Sequence, residues 1–155
     1  MDGERLDAID HRILDALQRD GRLSNQDLSE RVGLSPSATH RRVHRLESEG
    51  WIRGYVALLD PRRLGRTTLV FVEVTLAGQA DEVLDAFERA VARIPEVLEC
   101  HLMSGSADFL LKVAALDTED FARIHRRSLA TIPGVQGIQS SFALRTVRQT
   151  TALPV

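Results

Sequence analysis

The chain has 155 residues, enough for one ordinary domain or two small ones. Hydrophobic residues make up 43% of it and charged residues 27%, which is typical of a folded globular protein and excludes a disordered one. No apolar run approaches the roughly 18 residues that a membrane-spanning helix needs.

Two features of the sequence predict a cytoplasmic protein. Residues 1–5 lack the basic start and apolar core of a secretory signal peptide. Cys100 is the single cysteine, so an internal disulfide is impossible and a reducing compartment is expected.

The net charge of −2 conceals an uneven distribution. Residues 1–30 carry a net charge of −4 and residues 67–155 a net charge of −3, whereas residues 31–66 carry +5. A polyanion would therefore meet one short basic stretch rather than a basic protein. On charge alone, a solvated arginine surface is the better explanation of this stretch.

Three helices are predicted in the first 50 residues. Apolar residues at helical spacing indicate the first, over residues 5–20. Ser24 and Asp27 fit a capping box that begins a short second helix, which ends near Val32 before a left-handed Gly33. Ser35-Pro36 is a strong helix start, and the third helix runs to about Glu49.

The short turn at residues 33–35 predicts a helix-turn-helix. Two helices separated by so few residues must cross at a steep angle. We expect Thr39, Val43 and Leu46 to form the inward face of the third helix. Residues 51–59 are rich in β-forming side chains and predict a strand, interrupted near residues 53–54; residues 60–66 resemble an interdomain linker.

The remainder predicts a second domain with the order βαββαβ, a ferredoxin-like arrangement. Its strands are expected at residues 67–76, 97–104, 108–115 and 135–147, and its helices at residues 81–94 and from 117 to about 132. Two helices cover one face of such a sheet. The segment Leu69–Val72 is apolar on both sides, so we expect the other face to be covered by dimerisation.

Taken in order along the chain, several short segments resemble the Lrp/AsnC (feast/famine) transcriptional regulators. They are Leu6-Asp7-Ala8-Ile9-Asp10, Ile13-Leu14, residues 28–37, Arg41-Arg42-Val43, Arg45-Leu46-Glu47, Gly50, Ile52, Gly54-Tyr55, Asp60-Pro61, Leu64-Gly65, residues 99–105 and Asp108. No single segment is specific, but their co-occurrence with intact spacing over nearly the whole chain is.

The resemblance implies an α+β protein with an N-terminal winged helix-turn-helix at residues 1–54. A hinge strand and linker at residues 55–66 would join it to a ferredoxin-like effector domain at residues 67–155. The resemblance also implies dimers that assemble further, often to octamers, on double-stranded DNA, and a small amino-acid effector bound between subunits. The protein is then expected to associate with the nucleoid.

For the DNA contact, helix geometry favours the exposed side of the third helix, whose N-terminal residues reach base edges in the major groove first. Arginine offers a planar donor fork for guanine or phosphate. The predicted contacts are Ser35, Ser37, Ala38, His40, Arg41, Arg42 and Arg45. Arg42 lies nearer the core, so pairing with an acidic residue of the first helix remains an alternative. Asn25 and Gln26 are weaker candidates for the DNA backbone.

For the effector, the turn around Gly105 offers backbone N–H groups to a carboxylate, and Asp108 offers an acceptor to an α-ammonium group. Simple roles as a turn residue and a strand cap are the alternative for these two residues. The predicted site comprises Met103, Ser104, Gly105, Asp108, Ser140 and Ser141. Of these, Met103, Ser104, Ser140 and Ser141 are included because the predicted strands place them near the turn.

The sequence predicts no catalytic site, no cofactor and no metal site. Cys100 and His101 are adjacent on a strand and so point to opposite faces. No phosphate-binding loop, nucleophile elbow or zinc-protease motif occurs. Two other functions stay open: an architectural protein that bends or compacts DNA without an effector, and a metabolite-binding module or enzyme that uses its first domain only for assembly.

Overall fold

The computed structural model describes residues 5–155, so the predicted absence of a signal peptide rests largely on residues outside the described ones. The described chain forms two compact units. The first contains residues 5–58 together with Arg148–Val155, and the second contains Leu59–Val147. The last eight residues thus belong with the first unit, whereas the sequence placed them at the end of a domain over residues 67–155.

The first unit contains the three predicted helices: α1 (Ala8–Arg19), α2 (Asn25–Val32) and α3 (Pro36–Ser48). Its core is formed by four fully buried apolar side chains, Ile13, Leu28, Val32 and Leu46. Thr39 is buried beside them on α3. The predicted inward faces are therefore confirmed.

The ends of these helices follow local chemistry. Gly33 ends α2 with a φ of 72°, in the left-handed region that glycine adopts without a steric cost. Ser24 caps α2 as predicted, because its Oγ accepts from the Asp27 backbone N–H at 3.0 Å. The reciprocal half of the capping box is absent: the Asp27 carboxylate accepts from the Ser24 hydroxyl instead of its backbone N–H.

The predicted strand over residues 51–59 is wrong. This segment has no regular secondary structure, and Val56, Leu58 and Leu59 are each at least 70% exposed. A strand needs a neighbour for its backbone N–H and C=O groups. No other described segment of this chain pairs with residues 51–59. β-forming side chains alone could not supply that partner.

The second unit has the predicted βαββαβ order. Its strands are β1 (Thr68–Leu76), β2 (Val97–Leu102), β3 (Phe109–Ala115) and β4 (Val135–Phe142), and its helices are α4 (Asp81–Val91) and α5 (Thr118–Ile124). One π-helical turn, His125–Leu129, continues α5. The strands form one antiparallel sheet in the order β2-β3-β1-β4.

Strand register divides the side chains of this sheet between two faces. Val70, Val72 and Val74 are buried on the inner face, where Phe87 of α4 and Phe121 of α5 join the core. On the outer face, Phe71 lies opposite Lys112 of β3 and Ser141 of β4 and remains 38% exposed. The sheet is thus covered by its own core on one side, while an apolar side chain stays exposed on the other.

Candidate functional site

The start of α3 is fixed by hydrogen bonds within the turn. The Ser35 Oγ accepts from the Ala38 backbone N–H at 3.3 Å, and the Thr39 hydroxyl donates to the Ser35 carbonyl at 3.0 Å. The amide of Asn25, at the start of α2, donates to the Pro36 carbonyl at 2.8 Å. These bonds hold the first turn of α3 against α2 and assign Asn25 a role within the turn.

One side of α3 is open to solvent. Ser37, His40, Arg41 and His44 are exposed, and Ala38 is half-buried. Ser37, Arg41 and His44 follow a spacing of four and three residues, so they lie along one face of the helix. Among residues 5–155 no side chain forms an ion pair or hydrogen bond with Arg41. Its guanidinium is therefore available to an external acceptor.

Arg42 and Arg45 face the first helix instead. Arg42 Nη1 donates to Asp7 Oδ2 at 2.6 Å and to Asp10 Oδ1 at 2.8 Å. Arg45 Nη2 donates to Asp10 Oδ2 at 2.6 Å. The alternative in which Arg42 pairs with an acidic residue of α1 is confirmed.

The outward orientation predicted for Arg45 is wrong. Arg45 precedes the buried Leu46 by one residue, and one residue turns a helix by only 100°. The side chain therefore lies at the flank of the helix, within reach of Asp10, rather than opposite the core.

The two carboxylates are strongly held in their charged forms. The Asp10 backbone N–H and then the Arg42 guanidinium lower the pKa of Asp7 to about 2. Burial acts to raise the pKa of Asp10, but hydrogen bonds from the Asp7 backbone, Arg45 and Arg42 outweigh it and lower that pKa. The sequence left open a pairing of Arg42 with an acidic residue of the first helix, but it did not identify Asp7 and Asp10 as the partners. The bond from Arg45 to Asp10 was not expected.

Gln26, the other weak candidate for DNA, donates to Glu30 on its own helix at 2.8 Å. Both residues are exposed. The structure therefore does not bring Gln26 together with the residues of α3.

The predicted effector loop joins β2 to β3. The Met103 backbone N–H donates to the Asp108 carbonyl at 2.8 Å and closes the loop, in which residues 103–106 are exposed. None of the backbone N–H groups of residues 104–107 donates to another described residue. These donors are free for a ligand.

The carboxylate of Asp108 is occupied by the protein itself. It accepts from the Leu76 backbone N–H at 2.7 Å and from the Gln79 amide at 2.8 Å, and Asp108 is buried. The Leu76 and Gln79 bonds lower the pKa of Asp108. The observed contacts are those of the strand-cap alternative, since the carboxylate joins the end of β1 to the start of β3.

Ser140 and Ser141 do not lie beside this loop within one chain. They belong to β4, whereas the loop follows β2, and β3 and β1 separate these two edge strands. Register also places the two serines on opposite faces, opposite Val72 and Phe71 of β1. The strand proximity assumed from the sequence is therefore wrong for a single subunit.

A surface pocket of about 380 Å³ lies between α4 and β2, and none of the predicted effector residues lines it. Cys100 does line it, and partial burial together with the Glu88 carboxylate raises the pKa of its thiol to about 11. Among the described residues no group of three or more potential metal ligands occurs. Residues 5–155 also contain no helix of the length and apolarity required to cross a bilayer.

Comparison with known proteins matches both units. Residues 6–53 match the family described as winged helix-turn-helix DNA-binding, and residues 69–153 match the Lrp/AsnC ligand binding domain. The leucine-responsive regulatory proteins of Escherichia coli strain K12 and Salmonella typhimurium are each 44% identical over 153 residues. The alignments cover 99% of this chain and 93% of each relative.

Solved structures agree with this match. A transcriptional regulator of Neisseria meningitidis, crystallised as an L-methionine complex, superimposes with a TM-score of 0.93 at 40% identity over 97% of both chains. A feast or famine regulatory protein of M. tuberculosis, also in complex with L-methionine, has a TM-score of 0.84 at 30% identity over 96% of this chain and 99% of the other. With its winged helix-turn-helix and its ligand-binding domain, the chain belongs to the Lrp/AsnC family of DNA-binding transcriptional regulators.

Proposed function

We propose that α3 reads duplex DNA in the major groove through Ser35, Ser37, Ala38, His40 and Arg41. The observation that carries this proposal is the exposed Arg41 guanidinium, which has no partner among residues 5–155. An arginine on the exposed face of a recognition helix can grip guanine O6 and N7 with two donors. At the start of α3, the Ser37 backbone N–H and the Ser35 hydroxyl suit a phosphate.

Arg42 and Arg45 have a different place in this proposal. Both were expected at the DNA, but both are bound to carboxylates of α1. We assign them a supporting role that fixes α3, and we leave direct contact with DNA to the exposed face.

The second unit would sense a small amino acid. Two similar structures are L-methionine complexes, and residues 69–153 match a ligand-binding family. Met103, Ser104 and Gly105 lie in the loop between β2 and β3. The backbone N–H groups of residues 104–107 donate to no other described residue, and such groups suit an α-carboxylate. Asp108 shapes this loop through Leu76 and Gln79, so another group must accept from the ammonium.

A ligand site between subunits agrees with the position of the two serines. Ser140 and Ser141 are remote from the loop in one chain, so they can join it only if a second subunit supplies them. The exposed Phe71 on the outer face of the sheet favours a homodimer, and family resemblance extends this to an octamer. Sedimentation of a monomer at micromolar concentration would contradict the dimer.

The regulatory proposal predicts an effect of ligand on DNA binding. Duplexes are selected from a random library with the full chain, and their affinity is then measured with each of the twenty amino acids. At least one amino acid should change the affinity for the selected duplex by several-fold, since couplings of this kind are typically 5- to 150-fold. A protein that binds selected and random duplexes alike, with no amino-acid effect, would be an architectural DNA-binding protein instead.

A further inference from the structure

The carboxylate of Asp10 is the most enclosed charge of the first unit. It is 1% exposed, and it lies in the first turn of α1, where it accepts from the Asp7 backbone N–H at 3.1 Å. Its two oxygens also accept from Arg42 and Arg45 at 2.8 and 2.6 Å. A single side chain of α1 thus holds two cations of α3.

These contacts divide the arginines of α3 into two groups. Arg42 and Arg45, three residues apart, face α1 and are balanced by Asp7 and Asp10. Arg41 alone among the three points to solvent without a partner in residues 5–155. The helix therefore offers DNA one free guanidinium, although its sequence carries three.

The restraint on Arg45 is incomplete. Its side chain is 38% exposed, and its Nε is buried with no hydrogen-bond partner among the described residues. A buried donor without an acceptor is unfavourable. Once its bond to Asp10 is lost, Arg45 gains by moving outward, where solvent or a phosphate would satisfy that donor.

We propose that Asp10 is a positioning residue that sets the DNA selectivity of α3. By holding Arg42 and Arg45 against α1, it keeps two cations from the phosphate backbone and fixes α3 with its Arg41 face outward. Phosphate contacts bind every sequence equally, whereas base contacts discriminate. A recognition helix that makes fewer phosphate contacts therefore has a higher ratio of specific to non-specific binding. This inference rests on the proposed role of α3 in DNA binding.

The test compares the full-length protein with Asp10→Asn on two duplexes of equal length, one selected by the wild type and one scrambled. Asp10→Asn should bind the scrambled duplex several-fold more tightly at low salt, with a salt slope steeper by roughly 0.9 for each arginine that reaches a phosphate. The preference for the selected duplex should fall. Asp15→Asn is the matched control, because Asp15 is also on α1 but, among residues 5–155, its side chain pairs only with Arg19 and Gln18 of that helix.

Two results of this comparison would contradict the proposal. If Asp10→Asn is folded but loses affinity for both duplexes in parallel with an unchanged salt slope, Asp10 is merely structural and the proposal fails. It also fails if Asp15→Asn reproduces the change, because the effect is then one of net charge.

A second variant covers the case in which Asp10→Asn does not fold. Arg42→Gln removes one of the two restrained cations, so its salt slope should equal that of the wild type. A slope lower by about 0.9 would show that Arg42 already contacts phosphate, and would overturn the proposal. Absence of DNA binding by the wild type would instead refute the proposed function itself.

Discussion

The side-chain amide of Gln18 on α1 pairs with the backbone of Leu153 through two hydrogen bonds of 2.8 Å. The amide nitrogen donates to the Leu153 carbonyl, and the amide oxygen accepts from the Leu153 N–H. The chain leaves the first unit at Leu58 and returns to it at Arg148. The second unit is therefore connected to the helix-turn-helix at both of its ends.

Replacing Gln18 with alanine should loosen this attachment. Two exposed hydrogen bonds are lost, each with a net contribution of about 0.5–1.5 kcal/mol at most, so only a small decrease in stability is expected. Hydrogen exchange should increase at residues 150–155 of the full chain. Gln26→Ala is the matched control, because among the described residues the Gln26 side chain hydrogen-bonds only with Glu30, on its own helix. Equal exchange in both variants would contradict the attachment.

Acid should destabilise the first unit through Asp7. The folded pKa of Asp7 is about 2, below its ordinary value of 3.8. A depressed folded pKa gives stability that is present above the unfolded pKa and is lost as the pH falls through the folded one. The thermal unfolding temperature should therefore fall between pH 4 and 2, and it should fall less in Asp7→Asn. An identical acid dependence of the variant and the wild type would exclude Asp7 as the cause.

Replacing Asp108 with alanine should weaken the second unit. The Leu76 N–H would lose its acceptor in a buried position, which costs roughly 1–3 kcal/mol. Urea unfolding measures this loss, with Asp85→Ala on the exposed side of α4 as the control. Unchanged stability combined with lost amino-acid binding would instead assign the carboxylate to the ligand.

The thiol of Cys100 should react slowly with iodoacetamide at pH 8. Its pKa of about 11 leaves roughly one thiol in a thousand ionised at that pH, and the thiolate is the nucleophile. Glu88→Gln removes the neighbouring carboxylate and should accelerate alkylation. A rate equal to that of free cysteine would contradict the raised pKa.

Local chemistry explains why most elements were predictable. The start of α3 follows from Ser35-Pro36 and the end of α2 from Gly33, since caps act within a few residues. The βαββαβ order likewise follows from the alternation of strand and helix patterns. These features depend on neighbours in the sequence.

The missed features depend on distant partners. Gln18 and Leu153 are 135 residues apart, and no pattern in the sequence joins a side-chain amide to a remote backbone. Asp10 and Arg45 are 35 residues apart, and their pairing follows only from the crossing of α1 and α3. The strand expected at residues 51–59 does not form for the same reason, because a strand requires a partner and no other segment within residues 5–155 pairs with it.

The central claim is that the exposed face of α3 reads DNA, and Arg41→Ala tests it most directly. Affinity of the full chain is measured for a selected and a scrambled duplex at moderate salt, with Arg89→Ala on the exposed side of α4 as the charge-matched control. The account predicts a loss of roughly 1–3 kcal/mol on the selected duplex for Arg41→Ala, and near wild-type binding for the control. Equal affinities of Arg41→Ala and the wild type for the selected duplex would contradict it.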